Sequence, residues 1–61
     1  MVFKVTFRTR GLSTGWITQQ SCISAFSAAD AVTKLDGSLA RLYKAGAWFV
    51  DWAIVKAEQV A

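Results

Sequence analysis

The sequence predicts an α+β fold in which three antiparallel strands carry one helix on one face, in the order β-β-α-β. Residues 26–46 have the apolar periodicity and the end signals of a single amphipathic helix. The segments on either side of it are rich in β-branched and aromatic residues, as strands are. A short, glycine-containing stretch at residues 11–15 suits a hairpin connection. We expect all 61 residues to form one small domain.

The first strand is predicted at residues 2–10, where apolar and polar side chains alternate without a break. One side carries Phe3, Val5 and Phe7, and the other carries Lys4, Thr6, Arg8 and Arg10. This period of two is typical of a strand that buries one face.

The second strand is predicted at residues 16–25, but its polar middle leaves its facing ambiguous. Ile17 and Ile23 are expected to point inward, with a bulge near Gln19 and Gln20. Cys22 is expected to behave as a small buried apolar side chain.

The start of the helix has the residues of a capping box. Ser27 is a good N-cap, and Asp30, three residues later, can return a hydrogen bond and lies at the positive end of the helix dipole. Phe26 precedes the cap, where it is expected to pack near Ala31 as a hydrophobic staple.

The helix is predicted to span residues 28–45 and to stop at Gly46. Its apolar arc consists of Ala28, Ala31, Val32, Leu35, Leu39, Leu42 and Tyr43. Gly37 could divide the segment into two helices, but the arc stays in phase across it, so one helix is preferred. Asp30 and Lys34 form an i,i+4 ion pair on the polar side.

The third strand is predicted at residues 48–56, followed by a frayed tail at residues 58–61. Alternation places Trp48, Val50, Trp52 and Ile54 on one face, and Phe49, Asp51, Ala53 and Val55 on the other. Because Asp51 should avoid the core, the tryptophan face is assigned to the helix, and Phe49 is expected to point outward.

A hairpin followed by a helical crossover closes most easily with the first strand in the centre, which gives the strand order 2-1-3. The helix then covers one face of the sheet and leaves the other bare. This bare face is the predicted interaction surface. Its candidate binding residues are Lys4, Thr6, Arg8, Arg10, Trp16, Phe49 and Asp51.

The composition is more apolar than a lone small domain requires, with 54% hydrophobic residues and a mean hydropathy of +0.34. We therefore expect a homodimer or another stable protein partner. The chain has no proline to protect its strand edges, so strand addition between subunits is a second route to association.

The chemistry of the side chains argues against catalysis. The chain has no histidine and a single cysteine, Cys22, so a positioned general base, a disulfide within the chain and a metal site are not expected, and neither is a cofactor. A single cysteine, which has no partner in the chain for a disulfide, indicates a reducing, cytoplasmic compartment. The uncharged residues 11–29 are too polar to span a bilayer, so no membrane association is expected.

The whole pattern resembles the RNA-polymerase inhibitors of coliphages, a family of small phage-encoded proteins with the same β-β-α-β order. Members begin their helix with a sequence similar to residues 26–31 (FSAADA), and leave it through a turn similar to residues 43–49 (YKAGAWF). The resemblance implies a small domain that binds a host macromolecule and blocks it. That family is acidic, whereas this chain carries +3, so the same target is not implied. An archaeal ribosomal protein with this strand order is similar too.

Two functions are therefore expected of the bare sheet face. The first is protein–protein interaction, as an inhibitor or modulator of a host macromolecule or as a homodimer, because tryptophan and arginine are frequent in binding hot spots. The alternative is binding of single-stranded DNA or RNA, since the pI near 9.5 permits it and aromatic and cationic residues share the face.

Overall fold

The computed structural model describes residues 1–60 and confirms the predicted architecture. Its elements are β1 (Val2–Gly11), β2 (Gly15–Ser24), α1 (Ala28–Lys44) and β3 (Phe49–Gln59). The strands form one antiparallel sheet in the order β2-β1-β3. Ala61, in the predicted tail, lies outside the described residues.

The β1–β2 hairpin is regular along its whole length. Its register runs in single steps from Val2 opposite Ser24 to Gly11 opposite Gly15. The predicted bulge near Gln19 and Gln20 is therefore wrong. Gly15 ends the turn with φ +64°, a left-handed conformation that glycine adopts without steric cost.

The core lies between α1 and the side of the sheet that carries the odd-numbered residues of β1. Its fully buried apolar residues are Phe3, Val5, Phe7, Ala25, Ala31, Leu35, Leu39 and Phe49. The predicted inward side of β1 is confirmed. Ile23 packs against this core, whereas Ile17 remains 40% exposed.

Ser27 caps the start of α1 as predicted, but Asp30 returns its hydrogen bond to the N–H of Phe26, one residue before the N-cap, rather than to that of Ser27. The Ser27 hydroxyl accepts a hydrogen bond from the Asp30 N–H at 3.1 Å, and the Asp30 carboxylate accepts one from the Phe26 N–H at 3.1 Å. Lys34 forms an ion pair with the same carboxylate, with its Nζ 3.3 Å from Asp30 Oδ2. The Phe26 side chain is 87% exposed, so the predicted staple to Ala31 is wrong.

The helix continues through Gly37 without interruption and ends before Gly46, which has φ +89°. The preferred prediction of a single helix is confirmed. Within residues 1–60, no helix has the length and apolar composition needed to cross a membrane.

The helix lies closer to β3 than to β2. Trp52 of β3 donates its indole Nε1–H to Asp36 Oδ1 at 2.8 Å and packs its ring 5.9 Å from that of Tyr43. Leu42 and Tyr43, at the end of the apolar arc of the helix, are about half exposed.

Two register irregularities in β3 change which of its residues face the helix, compared with the sequence prediction. They fall between the pairs Thr6–Lys56 and Phe7–Ile54, and between the pairs Arg10–Asp51 and Gly11–Phe49. An extra residue at each place breaks the alternation of two on which the prediction rests. Phe49 is thereby turned into the core, where it is 4% exposed, and its predicted place on the bare face is wrong.

The prediction for Trp48 is wrong in the opposite direction. The alternation assigns this residue to the core, but it is 52% exposed. It precedes β3 and packs edge-on against Phe49, with ring centroids 5.8 Å apart. Gly11 makes room for it, since a Cβ at that position would lie 3.0 Å from Trp48 Cε3.

The end of the chain is more ordered than the predicted frayed tail. β3 extends to Gln59, and the Val60 N–H donates to the Val2 carbonyl at 2.9 Å. The backbone of residues 58–60 is therefore tied to the central strand.

Candidate interaction face

The side of the sheet turned away from α1, here called the open face, carries alternate residues of all three strands. The cross-strand registers place on it Lys4, Thr6, Arg8 and Arg10 of β1, Trp16, Thr18, Gln20 and Cys22 of β2, and Asp51, Ala53, Lys56 and Glu58 of β3. The described residues 1–60 enclose no pocket.

Four of the predicted residues meet at one end of the open face in an arginine–tryptophan cluster, formed by Arg8, Arg10, Trp16 and Asp51. Arg10 lies directly opposite Trp16 on one neighbouring strand and Asp51 on the other. The guanidinium carbons of Arg8 and Arg10 lie 5.5 and 5.8 Å from the centre of the indole ring. Asp51 Oδ2 lies 3.8 Å from Arg10 Nη2.

The small size of its neighbours allows Arg8 to reach the ring of Trp16. Arg8 lies opposite Thr18 and Ala53, and Trp16 is its diagonal neighbour on β2. Diagonal cross-strand positions are within reach of long side chains. Cation–π contacts of exposed groups contribute about 0.5–1 kcal/mol each, enough to bias the orientation of both arginines.

The charges of the cluster are only partly balanced. Asp51 compensates Arg10, whereas no carboxylate among residues 1–60 lies within ion-pair distance of Arg8. The indole remains 42% exposed, so both its ring and the free guanidinium are accessible from solvent. A surface of this kind can bind a partner that supplies a carboxylate or phosphate together with an apolar or planar group.

The other end of the open face is more polar. Lys56 pairs with Glu58 on the same strand at 3.3 Å, and Lys4 lies opposite Glu58. Thr6 is only 6% exposed, and its hydroxyl accepts a hydrogen bond from the Gln20 side chain at 3.5 Å. Thr6 therefore lies beneath the surface and supports it, which contradicts its predicted place among the contact residues.

Of the predicted binding residues, the structure places on the accessible open face Lys4, Arg8, Arg10, Trp16 and Asp51. Phe49 is buried on the other side of the sheet, and Thr6 is covered by its neighbours.

Reasoning from the sequence missed three residues of this face: Cys22, Lys56 and Glu58. Cys22 is exposed opposite Lys4, so the expectation of a buried thiol is wrong. Counting back from the hairpin turn would have placed it there, because the register of a hairpin follows from its turn. No comparable signal exists for Lys56, because its facing depends on the irregularity of β3.

No protein-family model, curated protein or solved structure matches this chain. The resemblance to the coliphage inhibitors therefore stays a prediction.

Proposed function

We propose that this chain is a non-enzymatic binding protein that attaches its open face to an acidic surface of another protein. The arginine–tryptophan cluster carries this proposal. Tryptophan and arginine are enriched among the residues that dominate binding energy in protein interfaces. Here one exposed indole lies between two guanidinium groups, one of which has no carboxylate partner within the described residues.

The charge of the face supports an acidic partner. Lys4, Arg8, Arg10 and Lys56 outnumber the two carboxylates on the same side of the sheet. The cluster is also preorganised, because its side chains are already held against the ring in the free protein. A preorganised group loses less side-chain entropy when it binds.

The resemblance to coliphage inhibitors supports a blocking role against a host macromolecule, and so a site of action in the host cytoplasm. A face without a pocket suits a macromolecular surface better than a small ligand. The proposed partner is therefore a host protein with exposed Asp and Glu side chains.

Single-stranded nucleic acid is the second candidate, and the same cluster favours it. A base can stack on an exposed indole while neighbouring cations bind phosphates. The burial of Phe49 leaves Trp16 as the single aromatic ring among the described open-face residues. Because stacking of successive bases needs successive rings, this candidate ranks below protein binding.

Capture from nuclease-treated host lysate tests the proposal. We expect immobilised wild-type chain to retain a discrete protein, and Arg8→Glu to lose it, because the substitution inverts the charge that faces the partner. Lys44→Glu is the matched control, since it makes the same charge change at the end of the helix, on the other side of the molecule. Equal retention by all three proteins would contradict the proposal.

Titration with single-stranded oligonucleotides separates the second candidate from the first. If a base stacks on Trp16, emission should be quenched in wild type and much less in Trp16→Phe, and the affinity should fall as salt rises. The substituted protein is needed because Trp48 and Trp52 also emit. We expect no such quenching; a strong salt-dependent response would favour nucleic acid over protein.

The open face is a poor surface for self-association. It carries four cations and two carboxylates, so two copies pressed together through it would bring an excess of like charges into one interface, which is unfavourable. We therefore look to a different surface for the predicted homodimer.

A further inference from the structure

The outer edge of β2 presents a row of backbone groups, of which the Ser24 carbonyl accepts a hydrogen bond from Lys34 Nζ at 3.0 Å and the others have no partner in the described chain. In an antiparallel ladder, alternate residues exchange hydrogen bonds with the neighbouring strand. The Ala25 N–H donates to the Met1 carbonyl at 2.9 Å, and the unbroken register assigns the same role to the other odd-numbered residues of β2. The N–H and C=O groups of residues 16, 18, 20, 22 and 24 therefore point away from β1.

The two edges of the sheet differ in their protection. β3 contains two register irregularities and the charged residues Asp51, Lys56 and Glu58, which are devices that discourage pairing with another strand. β2 has ten residues without an irregularity, a proline or a charge. A long, regular, uncharged edge is a template for strand addition.

We propose that this edge pairs antiparallel with β2 of a second copy of the chain, forming a continuous six-stranded sheet. An edge of this type suits a second copy because its polar, uncharged side chains set no like charges against one another. The pairing also satisfies the outward N–H and C=O groups of both strands together.

Among the registers that the backbone of β2 allows, we assign the one that overlaps almost the full length of both strands and pairs Ile17 with Ile23. Because the even-numbered residues carry the free backbone groups, a two-fold axis at Gln20 makes a hydrogen-bonded pair there, and places Thr18 opposite Cys22 of the second copy. The same register sets Ile17 opposite Ile23 on the helix side, in a non-hydrogen-bonded pair where side chains approach closely. Ile17, 40% exposed in the single chain, gains an apolar neighbour.

The ends of β2 add further apolar surface. Leu12 precedes the strand and Phe26 follows it, and they are 86% and 87% exposed. Antiparallel pairing brings the beginning of each β2 next to the end of the other. Leu12 of each copy therefore lies at the same end of the interface as Phe26 of the other. The dimer thus gives both large side chains, which are exposed in the single chain, an apolar residue nearby.

The geometry of the pair also bears on the open face. A two-fold axis perpendicular to the sheet puts both helices on one side and both open faces on the other. Trp16 lies opposite Ser24 of the second copy, so the two indoles are separated by about eight residues of strand, roughly 27 Å. The dimer thus presents two arginine–tryptophan clusters on the same side of its sheet.

Analytical ultracentrifugation with charge substitutions at the axis tests the proposal. We expect wild type to form dimers as its concentration rises to about 100 µM. Gln20→Lys and Gln20→Glu should each weaken the dimer about tenfold or more, because each sets two like charges directly opposite one another. Mixing the two variants should restore a dimer, since the charges are then opposite.

Ala53→Glu is the matched control, because Ala53 lies on the same side of the sheet but on the other edge strand. It should leave the dimer unchanged. Two results would overturn the proposal: a wild type that stays monomeric throughout, which leaves the edge free for an extended segment of a different protein, or dimers that persist unchanged in both Gln20 variants.

Disulfide cross-linking tests the register without adding charge to the fold. In a Cys22→Ser background, Gln20→Cys places two thiols at directly opposite positions, whose Cα separation of about 5.5 Å allows a disulfide. Thr18→Cys in the same background sets its two thiols about four residues apart, so it should not cross-link. Efficient cross-linking of the second variant but not the first would contradict this register.

Discussion

At Gly11 the backbone of β1 is covered by two side chains, so this position has no room for a Cβ. One placed there would lie 2.7 Å from Thr14 Oγ1 and 3.0 Å from Trp48 Cε3. The Thr14 hydroxyl accepts a hydrogen bond from the Gly11 N–H at 3.2 Å, so moving it away removes that bond. Gly37 is the opposite case: it is exposed in mid-helix, and a Cβ added there would meet nothing within 4 Å.

These two glycines should respond to alanine with opposite signs. Gly11→Ala should lower the free energy of unfolding by about 1–3 kcal/mol, because the added methyl group forces Thr14 and Trp48 apart. Gly37→Ala should raise it by about 0.5–1 kcal/mol, since alanine stabilises a helix interior relative to glycine. Urea denaturation followed by circular dichroism measures both, and a stabilised Gly11→Ala would refute the close packing described here.

At the level of single elements, the start of α1 couples stability to acid. The Phe26 N–H bonded to the Asp30 carboxylate lowers the pKa of that carboxyl below its ordinary value of 3.8; desolvation opposes this change, and Lys34 contributes to the lowering. A depressed pKa in the folded state means that the ionised form stabilises the fold. This stabilisation is present above pH 3.8 and is lost as the pH falls through the lower folded value.

Wild type should therefore lose stability below about pH 4 more steeply than Asp30→Asn, in which no carboxyl is present to titrate. Ser27→Ala is the control, because it removes the N-cap and costs about 1 kcal/mol, while it keeps Asp30 and its acid dependence. Thermal unfolding between about pH 2.5 and 6 measures all three proteins. Identical acid sensitivity of wild type and Asp30→Asn would show that other carboxyls govern it.

The helix and β3 also show how one element depends on another. The Asp36 carboxylate, on the helix, accepts the indole hydrogen of Trp52 of β3 at 2.8 Å. Trp52 in turn contacts Tyr43 and Phe49, with both pairs of ring centroids 5.9 Å apart. This aromatic group holds the second half of the helix over β3 and leaves β2 less covered.

At the scale of the whole molecule, the two proposed surfaces occupy different parts of the sheet. The open face is the proposed site for a partner protein, whereas the β2 edge is the proposed site for a second copy. A dimer that displays two clusters on the same side of its sheet can engage a partner with two acidic sites, or two partners, and linked sites bind more tightly than either alone. Loss of the dimer should then weaken capture of a two-site partner without abolishing it.

The melting temperature provides an independent measure of the dimer. If folding and pairing are linked, the melting temperature of wild type should rise by several degrees between dilute and concentrated solutions, by mass action. Gln20→Glu should show little dependence on concentration, whereas Ala53→Glu should behave like wild type. Differential scanning fluorimetry at several protein concentrations measures this, and a wild type without concentration dependence would argue against dimerisation.

Local signals in the sequence were sufficient for the order of elements, the central position of β1, the capped helix and the inward placement of Phe3, Val5 and Phe7. Each depends on neighbours within a few residues: alternation in β1, Ser27 and Asp30 at the cap, and a glycine-containing turn. The hairpin register follows from that turn, which is why Arg10 and Trp16 could be assigned to one face.

The facing of β3 was decided by packing across the sheet. Its irregularities lie opposite the Thr6–Phe7 and Arg10–Gly11 steps of β1, and no local pattern in residues 48–59 marks them. Phe49 faces the helix opposite Gly11, and Asp51 faces the other side of the sheet opposite Arg10. Two residues on opposite sides of a strand are normally adjacent, so β3 must hold one extra residue between them. Side-chain alternation is a property of one strand, whereas a register irregularity is a compromise between two strands, and it becomes visible only when both are in place.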